Sequence, residues 1–195
     1  MHSEFEIFIP KPENRITPNK ITFVLYATCV IIFMISVINH CKPQIALFLF
    51  IIPFSVSIYF FIKKFWTYKF LDGELAGSLI ISLDYIKIAT QSFTINEIKK
   101  IDFHAINYYG KREDYRNNFN PILSQGTSNF VELFLNNGQK IKTYFKLNFK
   151  EHHKILYPFV VEMIKHGKIS VLRGTEILGI NDYDEIQEFK RNHLQ

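Results

Sequence analysis

Two apolar runs, Ile21–Asn39 and Pro43–Ile62, contain no Asp, Glu, Lys, Arg or His, and only His40, Cys41, Lys42 and Pro43 turn the chain between them. At 1.5 Å per residue a helix over the first run is about 28 Å long, close to the ~30 Å hydrocarbon thickness of a bilayer. Both runs are apolar on every face, so neither has the polar stripe of a helix lying on a protein surface. About 130 residues follow, too few to cover two such helices and also build a core of their own. The first run is too long for a signal-peptide core, and no small-residue cleavage pattern follows it. The spacing therefore predicts an antiparallel transmembrane hairpin with the lipid bilayer as its first partner.

Flanking charge predicts the orientation. Lys11, Arg15 and Lys20 precede the first run and Lys63, Lys64 and Lys69 follow the second, against Lys42 alone in the turn. Cations collect on the cytoplasmic side, so both termini are expected in the cytoplasm, at an inner membrane. Tyr59, Trp66 and Tyr68 stand where interfacial aromatics belong. Pro53 removes a helical donor in mid-run and is expected to kink the second helix; Ser55 and Ser57 either satisfy the freed groups or are tolerated small residues.

From Gly73 the pattern becomes short and β-branched. Leu79–Leu83, Tyr85–Thr90, Phe93–Ile95, Ile98–Tyr109, Phe130–Leu135 and Gln139–Lys146 read as strands, with a bulge where alternation breaks at Lys99–Lys100. Asn136-Asn137-Gly138 marks a hairpin. A three-residue loop with Gly138 left-handed pairs Leu133 with Ile141 and Val131 with Thr143, which puts Val131, Leu133, Leu135, Ile141 and Phe145 on one face. A two-residue turn would mix the faces. Asn148 as N-cap and Glu151 three residues on predict an amphipathic helix over 149–166, ended by Gly167. A shorter helix is expected after Asp182.

Leu79-x-Ile81-x-Leu83-Asp84-x-Ile86-x-Ile88, Ile95-Asn96-Glu97-Ile98-x-x-Ile101, the Gly138 hairpin and the helix behind a two-span anchor together resemble bacterial membrane-anchored pleckstrin-homology-like proteins, over roughly residues 73–167. The resemblance implies an α+β soluble domain: a partly open antiparallel β-barrel or sandwich of two packed sheets, capped at one end by the C-terminal amphipathic helix. That fold has seven strands where this stretch offers six, and Phe5–Ile9 is a candidate for the seventh. The expected organisation is an N-terminal segment 1–20, the hairpin 21–62, the barrel 63–173 and a tail 174–195.

Function is read mostly by exclusion. The net charge of +5 falls to +4 from Lys63 onward, nineteen Lys and Arg against fifteen Asp and Glu, and no recognition motif accompanies it, which argues against nucleic acid. Cys29 and Cys41 form neither a disulfide framework nor a metal set. His152 and His153 point about 100° apart on a helix, and His104 and His166 stand apart from them. Asp182, Asp184, Glu185 and Glu188 suit a helix start better than a calcium loop. Ser124 and Ser128 have no nucleophile motif, and Gly73-x-x-x-Gly77 lacks the Lys of a phosphate loop. No catalytic residue, cofactor or metal is expected.

Two readings remain open: a membrane-tethered module for a protein partner, or a domain that senses anionic headgroups through Lys63, Lys64 and Lys69, with Lys99 and Lys100 as further candidates. The stretch 110–129 is the candidate partner loop, because Tyr115, Phe119, Pro121, Ile122 and Leu123 are too apolar for a solvating linker. The same groups would equally serve to cover an open barrel edge.

Overall fold

The computed structural model describes residues 2–12, 15–39, 44, 48–113 and 118–193. The chain forms two compact units: Met1–Pro12 with Leu71–Lys111 and Ser124–Gln195, and Glu13–Phe70 with Arg112–Leu123. The first is an α+β unit built on a large antiparallel sheet. The second is helical.

In the sheet unit the strands are β1 (His2–Pro10), β2 (Gly73–Ser82), β3 (Tyr85–Ile88), β4 (Gln91–Thr94), β5 (Ile98–His104), β8 (Asn129–Leu135) and β9 (Lys140–Phe145), ordered β4-β3-β2-β1-β9-β8-β5. The N-terminal alternation does form a strand, and it lies at the centre of the sheet. β1 pairs with β2 from His2 to Pro10 with a register shift between Glu6 and Phe8. At that irregularity Ile7 and Phe8 also pair with Phe145 and Tyr144 of β9, and Lys146 N–H donates to Glu6 O at 3.0 Å, a short joint between β4-β3-β2-β1 and β9-β8-β5. Where the resemblance implies two packed sheets, the strands form one hydrogen-bonded sheet with a short joint between β1 and β9. Two short strands, β6 (Tyr109–Arg112) and β7 (Leu123–Gln125), form their own ladder.

The hairpin register matches the three-residue loop. Leu133 faces Ile141, Val131 faces Thr143, and Gly138 has φ +86° with its N–H on Leu135 O. The β5 register shifts between Ile98 and Lys100, the expected bulge. The Tyr85–Thr90 strand ends earlier than its sequence suggests, because Ala89 adopts φ +51° and turns the chain into β4.

The helix expected over 149–166 is divided. His152–Leu156 is 3₁₀, and α3 runs only from Tyr157 to Lys165. Two causes are visible. The N–H of Asn148 donates to His152 Nδ1 at 3.2 Å, so the capping box with Glu151 does not form. Pro158 has no N–H to extend an earlier helix and instead occupies the first turn of α3, where none is needed. Phe159, Val160, Met163 and Ile164 still face the core, joining Leu79, Ile81, Phe103, Val131, Leu133 and Phe145. The tail also belongs to this unit: α4 (Val171–Ile177) and α5 (Tyr183–His193) bury Ile177 and Phe189 in the same cluster.

The helical unit reverses the burial pattern. α1 (Pro18–Ile38) is the one helix, among the described residues, long and apolar enough to cross a membrane. Phe23, Ile31 and Ile38 are exposed, whereas its buried residues are Thr22 and Cys29. α2 (Ile51–Lys63) buries Pro53 and Ser57. Pro53 withholds the donor that Leu49 O would receive, and helical bonding breaks at Leu49–Phe50. The freed carbonyl takes the N–H of Ile52 at 3.2 Å and the Cys29 thiol of α1 at 3.6 Å. Ser57 donates to Pro53 O at 2.7 Å and lies 3.5 Å from the Tyr26 hydroxyl. The two helices therefore meet through small and weakly polar groups. The turn His40–Pro43 and the start of the second expected span lie outside the described residues.

Candidate functional site

Two sets of residues, separated by some fifty positions in the sequence, meet in the helical unit. The chain beyond α2 is strapped by the 110–129 stretch: Ile122 N–H donates to Lys64 O at 3.2 Å, Leu123 N–H to Thr67 O at 3.4 Å, and Lys69 N–H to Leu123 O at 2.7 Å. Phe119 N–H donates to Asn19 Oδ1 at the start of α1, at 2.7 Å. Pro121 and Ile122 are buried, and Leu123 and Phe119 half-buried. Among the described residues of the loop, Phe119, Pro121, Ile122 and Leu123 therefore seat on the chain at the helix ends. The β5 edge meets Lys168, whose carbonyl accepts from Ile101 N–H and whose ammonium reaches Ile98 O. Tyr115, the remaining loop candidate, lies outside the described residues.

The three candidate cations have three different environments. Lys63 is exposed and donates to the Tyr59 hydroxyl at 2.9 Å. Lys69 is ion-paired with Glu113. Lys64 is only 5% exposed: its ammonium donates to Asn118 O at 3.1 Å and lies 4.6 Å and 5.2 Å from the ring centres of Phe61 and Phe65. Beside it is a half-open cleft of about 180 Å³. Ile16, Pro18 and Ile21 line it from the α1 side, Phe60, Lys63, Lys64, Thr67 and Phe70 from the α2 side, and Phe119 and Pro121 from the loop.

The sheet unit carries a second surface. The residues of β5, β8 and β9 that face away from the core form cross-strand rows: Lys100–Phe134–Lys140, Asp102–Glu132–Lys142 and His104–Phe130–Tyr144. Lys142 Nζ is 3.9 Å from the centre of the Phe130 ring, Lys140 and Lys100 lie over Phe134 at 5.2 Å and 5.7 Å, and His104 stacks on Phe130 at 5.5 Å. Asp102 and Glu132 stand opposite each other and would repel, but Arg173 holds Asp102 at 2.8 Å and Lys140 holds Glu132 at 3.1 Å. Among the described residues Lys100 and Lys142 meet no carboxylate, so their charge is available. Burial, followed by the Arg173 charge, holds His104 below 6.5. Lys99, one residue off this alternation, is exposed.

A buried polar knot went unrecognised in the sequence. Asn129, fully buried, donates from Nδ2 to Asn107 O at 2.6 Å and Gly126 O at 2.8 Å, and its Oδ1 accepts from Asn107 N–H at 2.8 Å. Ser124 donates to Asn107 Oδ1 at 2.6 Å. Gly126, at φ +76°, has no room for a Cβ, which would lie 2.3 Å from Leu147 O. The knot pins non-repetitive backbone and leaves the Ser124 hydroxyl engaged. Among the described residues no three His, Cys, Asp or Glu side chains gather to hold a metal ion.

No protein family, curated protein or solved structure matches the chain. The functional reading therefore stands on these surfaces.

Proposed function

We propose that the protein is a non-enzymatic interaction module of the cytoplasmic membrane face. Two spans, Ile21–Asn39 and Pro43–Ile62, anchor it with both termini inside, and a pleckstrin-homology-like sheet unit receives an acidic segment of a protein partner. The anchor is supported by the inverted burial of α1, whose large side chains are exposed and whose buried face is Thr22 and Cys29. Small-residue contacts of that kind are what membrane helices use where hydrophobicity cannot drive pairing. The strand order and the narrow β1–β9 joint support a partly open barrel with α3 against its core.

The observation that carries the interaction role is the lattice of lysines over aromatic rings on β5, β8 and β9. Aromatic groups supply contact area at low entropic cost, and the free charges of Lys100 and Lys142 select an acidic ligand. Capture from native membranes tests it. The doubly reversed variant Lys100→Glu/Lys142→Glu is expected to lose partners that the wild type retains, and an unchanged set would remove this face from the reading. The anchor has separate tests. Alkaline carbonate should leave the protein in the membrane. An impermeant maleimide should label Cys41 in intact cells while Cys29, buried against Leu49, stays unlabelled. Labelling of Cys41 only after lysis would reverse the orientation.

A further inference from the structure

Lys64 is a buried cation with no carboxylate partner among the described residues. An ammonium has three hydrogens to donate, and here one carbonyl and two ring faces receive it; among the described residues no carboxylate does. Removing such a charge from water is costly unless an anion compensates. The same unit neutralises Lys69 internally, with Glu113. Lys64 differs in lining an open cleft that Lys63 also lines. Both lysines complement the C-terminal dipole of α2, but that role would be met by exposed side chains and does not account for burial beside a cleft.

We propose that the cleft binds one anionic glycerophospholipid, with its phosphate on the ammonium groups of Lys64 and Lys63 and the first part of an acyl chain against Ile21, Phe60 and Phe119. The inference rests on the membrane anchorage proposed above and adds a defined ligand to it. Three observations select a lipid over a free phosphate. Most of the lining is apolar, which a phosphate ion would not use. The cleft lies where α1 begins and α2 ends, the depth at which headgroups meet the ends of spanning helices. Trp66 and Tyr59 are exposed beside it, 71% and 55%, as aromatic anchors at that depth are.

The test uses the full-length protein extracted in a neutral detergent, with bound phospholipid read by native mass spectrometry after addition of phosphatidylglycerol or phosphatidylcholine. Wild type is expected to retain one phosphatidylglycerol and to release phosphatidylcholine. Lys64→Arg should keep the lipid, Lys64→Met should weaken retention by about tenfold, the size of one charge-assisted hydrogen bond, and Lys190→Met on exposed α5 should change nothing. Should Lys64→Met not fold, Ile21→Trp tests the cleft with the lysines intact, and it too should expel the lipid. Equal retention by folded Lys64→Met, or equal retention of phosphatidylcholine, overturns the proposal. So does competition by soluble glycerol phosphate as strong as that by the lipid, which would leave a phosphate site. Release by carbonate would remove the anchorage itself, whereas a carbonate-resistant protein with no bound lipid removes only this inference.

Discussion

The two units use the same kinds of side chain in opposite ways. Phe103 in the sheet unit is fully buried, packed edge-on against Phe159 with ring centres 6.0 Å apart, while Phe23 in α1 is 74% exposed. The sheet unit hides most of its Ile, Leu and Phe and ties the buried Asn107, Ser124 and Asn129 into one hydrogen-bond knot. The helices of the other unit hide Thr22, Cys29 and Ser57 and present most of their Ile and Phe outward. Burial in the first follows from water as solvent. In the second, on the anchorage proposed above, it follows from backbone geometry and close helix approach, which is what remains when the solvent is itself apolar. Hydrophobicity therefore marks the core of one unit and the surface of the other.

The largest expected effect tests that contrast directly. Phe103→Ala should cost the sheet unit about 3–5 kcal/mol in chemical denaturation, from lost transfer energy plus a cavity. Phe23→Ala should change the same transition by less than about 0.5 kcal/mol, as exposed substitutions do. Equal losses would mean that Phe23 is covered and that the two units do not differ. Next in size is a charge in the middle of α1. Ile31→Lys should disfavour membrane insertion by about 3 kcal/mol, read as the fraction of chain resistant to carbonate, while the sheet unit's unfolding midpoint stays in place. A soluble helix would tolerate that charge, since Ile31 is exposed.

Asn129→Ala sharpens the account of the sheet unit. It removes the Oδ1 acceptor of the Asn107 N–H and the Nδ2 donor to Asn107 O, while Gly126 O keeps the Leu147 N–H, and should cost about 1–3 kcal/mol; Asn129→Asp, lacking the Nδ2 donors, should not rescue it. The smallest effect is in pH. Burial holds His152 below 6.5, with His153 second, and burial and Arg173 do the same for His104. Both then hold a proton less tightly in the folded state than in the unfolded chain, whose ordinary value is 6.5. Stability should be full above 6.5 and fall as the pH drops through the folded-state values. The variant His104→Gln/His152→Gln should have a shallower acid slope than wild type. An unchanged slope would assign the acid sensitivity to other groups.

Local and strongly patterned features were legible in the sequence. The charge-free run that becomes α1, the hairpin register around Gly138, the bulge at Lys99–Lys100 and the helix after Asp182 each follow from a few adjacent residues, because period, turn chemistry and capping are short-range. The capping-box reading of Asn148 and Glu151 failed for a reason equally local but chemically ambiguous: a histidine ring nitrogen at 152 competes for the same N–H. The Ala89–Thr90 turn carries none of the usual turn residues, so nothing announced it.

What only the tertiary structure decided depends on contacts distant in the chain. The N-terminal alternation specified a strand but not its neighbours, and the central place of β1 came from β2 and β9 closing on it across some seventy and 140 residues. The sequence named Lys63, Lys64 and Lys69 as one group of cations and the 110–129 loop as another candidate, because charge and apolarity are properties of residues. The strap of Ile122 on Lys64 brought them together and turned one lysine outward, one onto Glu113 and one into a cleft. Burial of a particular lysine is a property of the surrounding chain, since it requires walls contributed by segments that no local pattern connects.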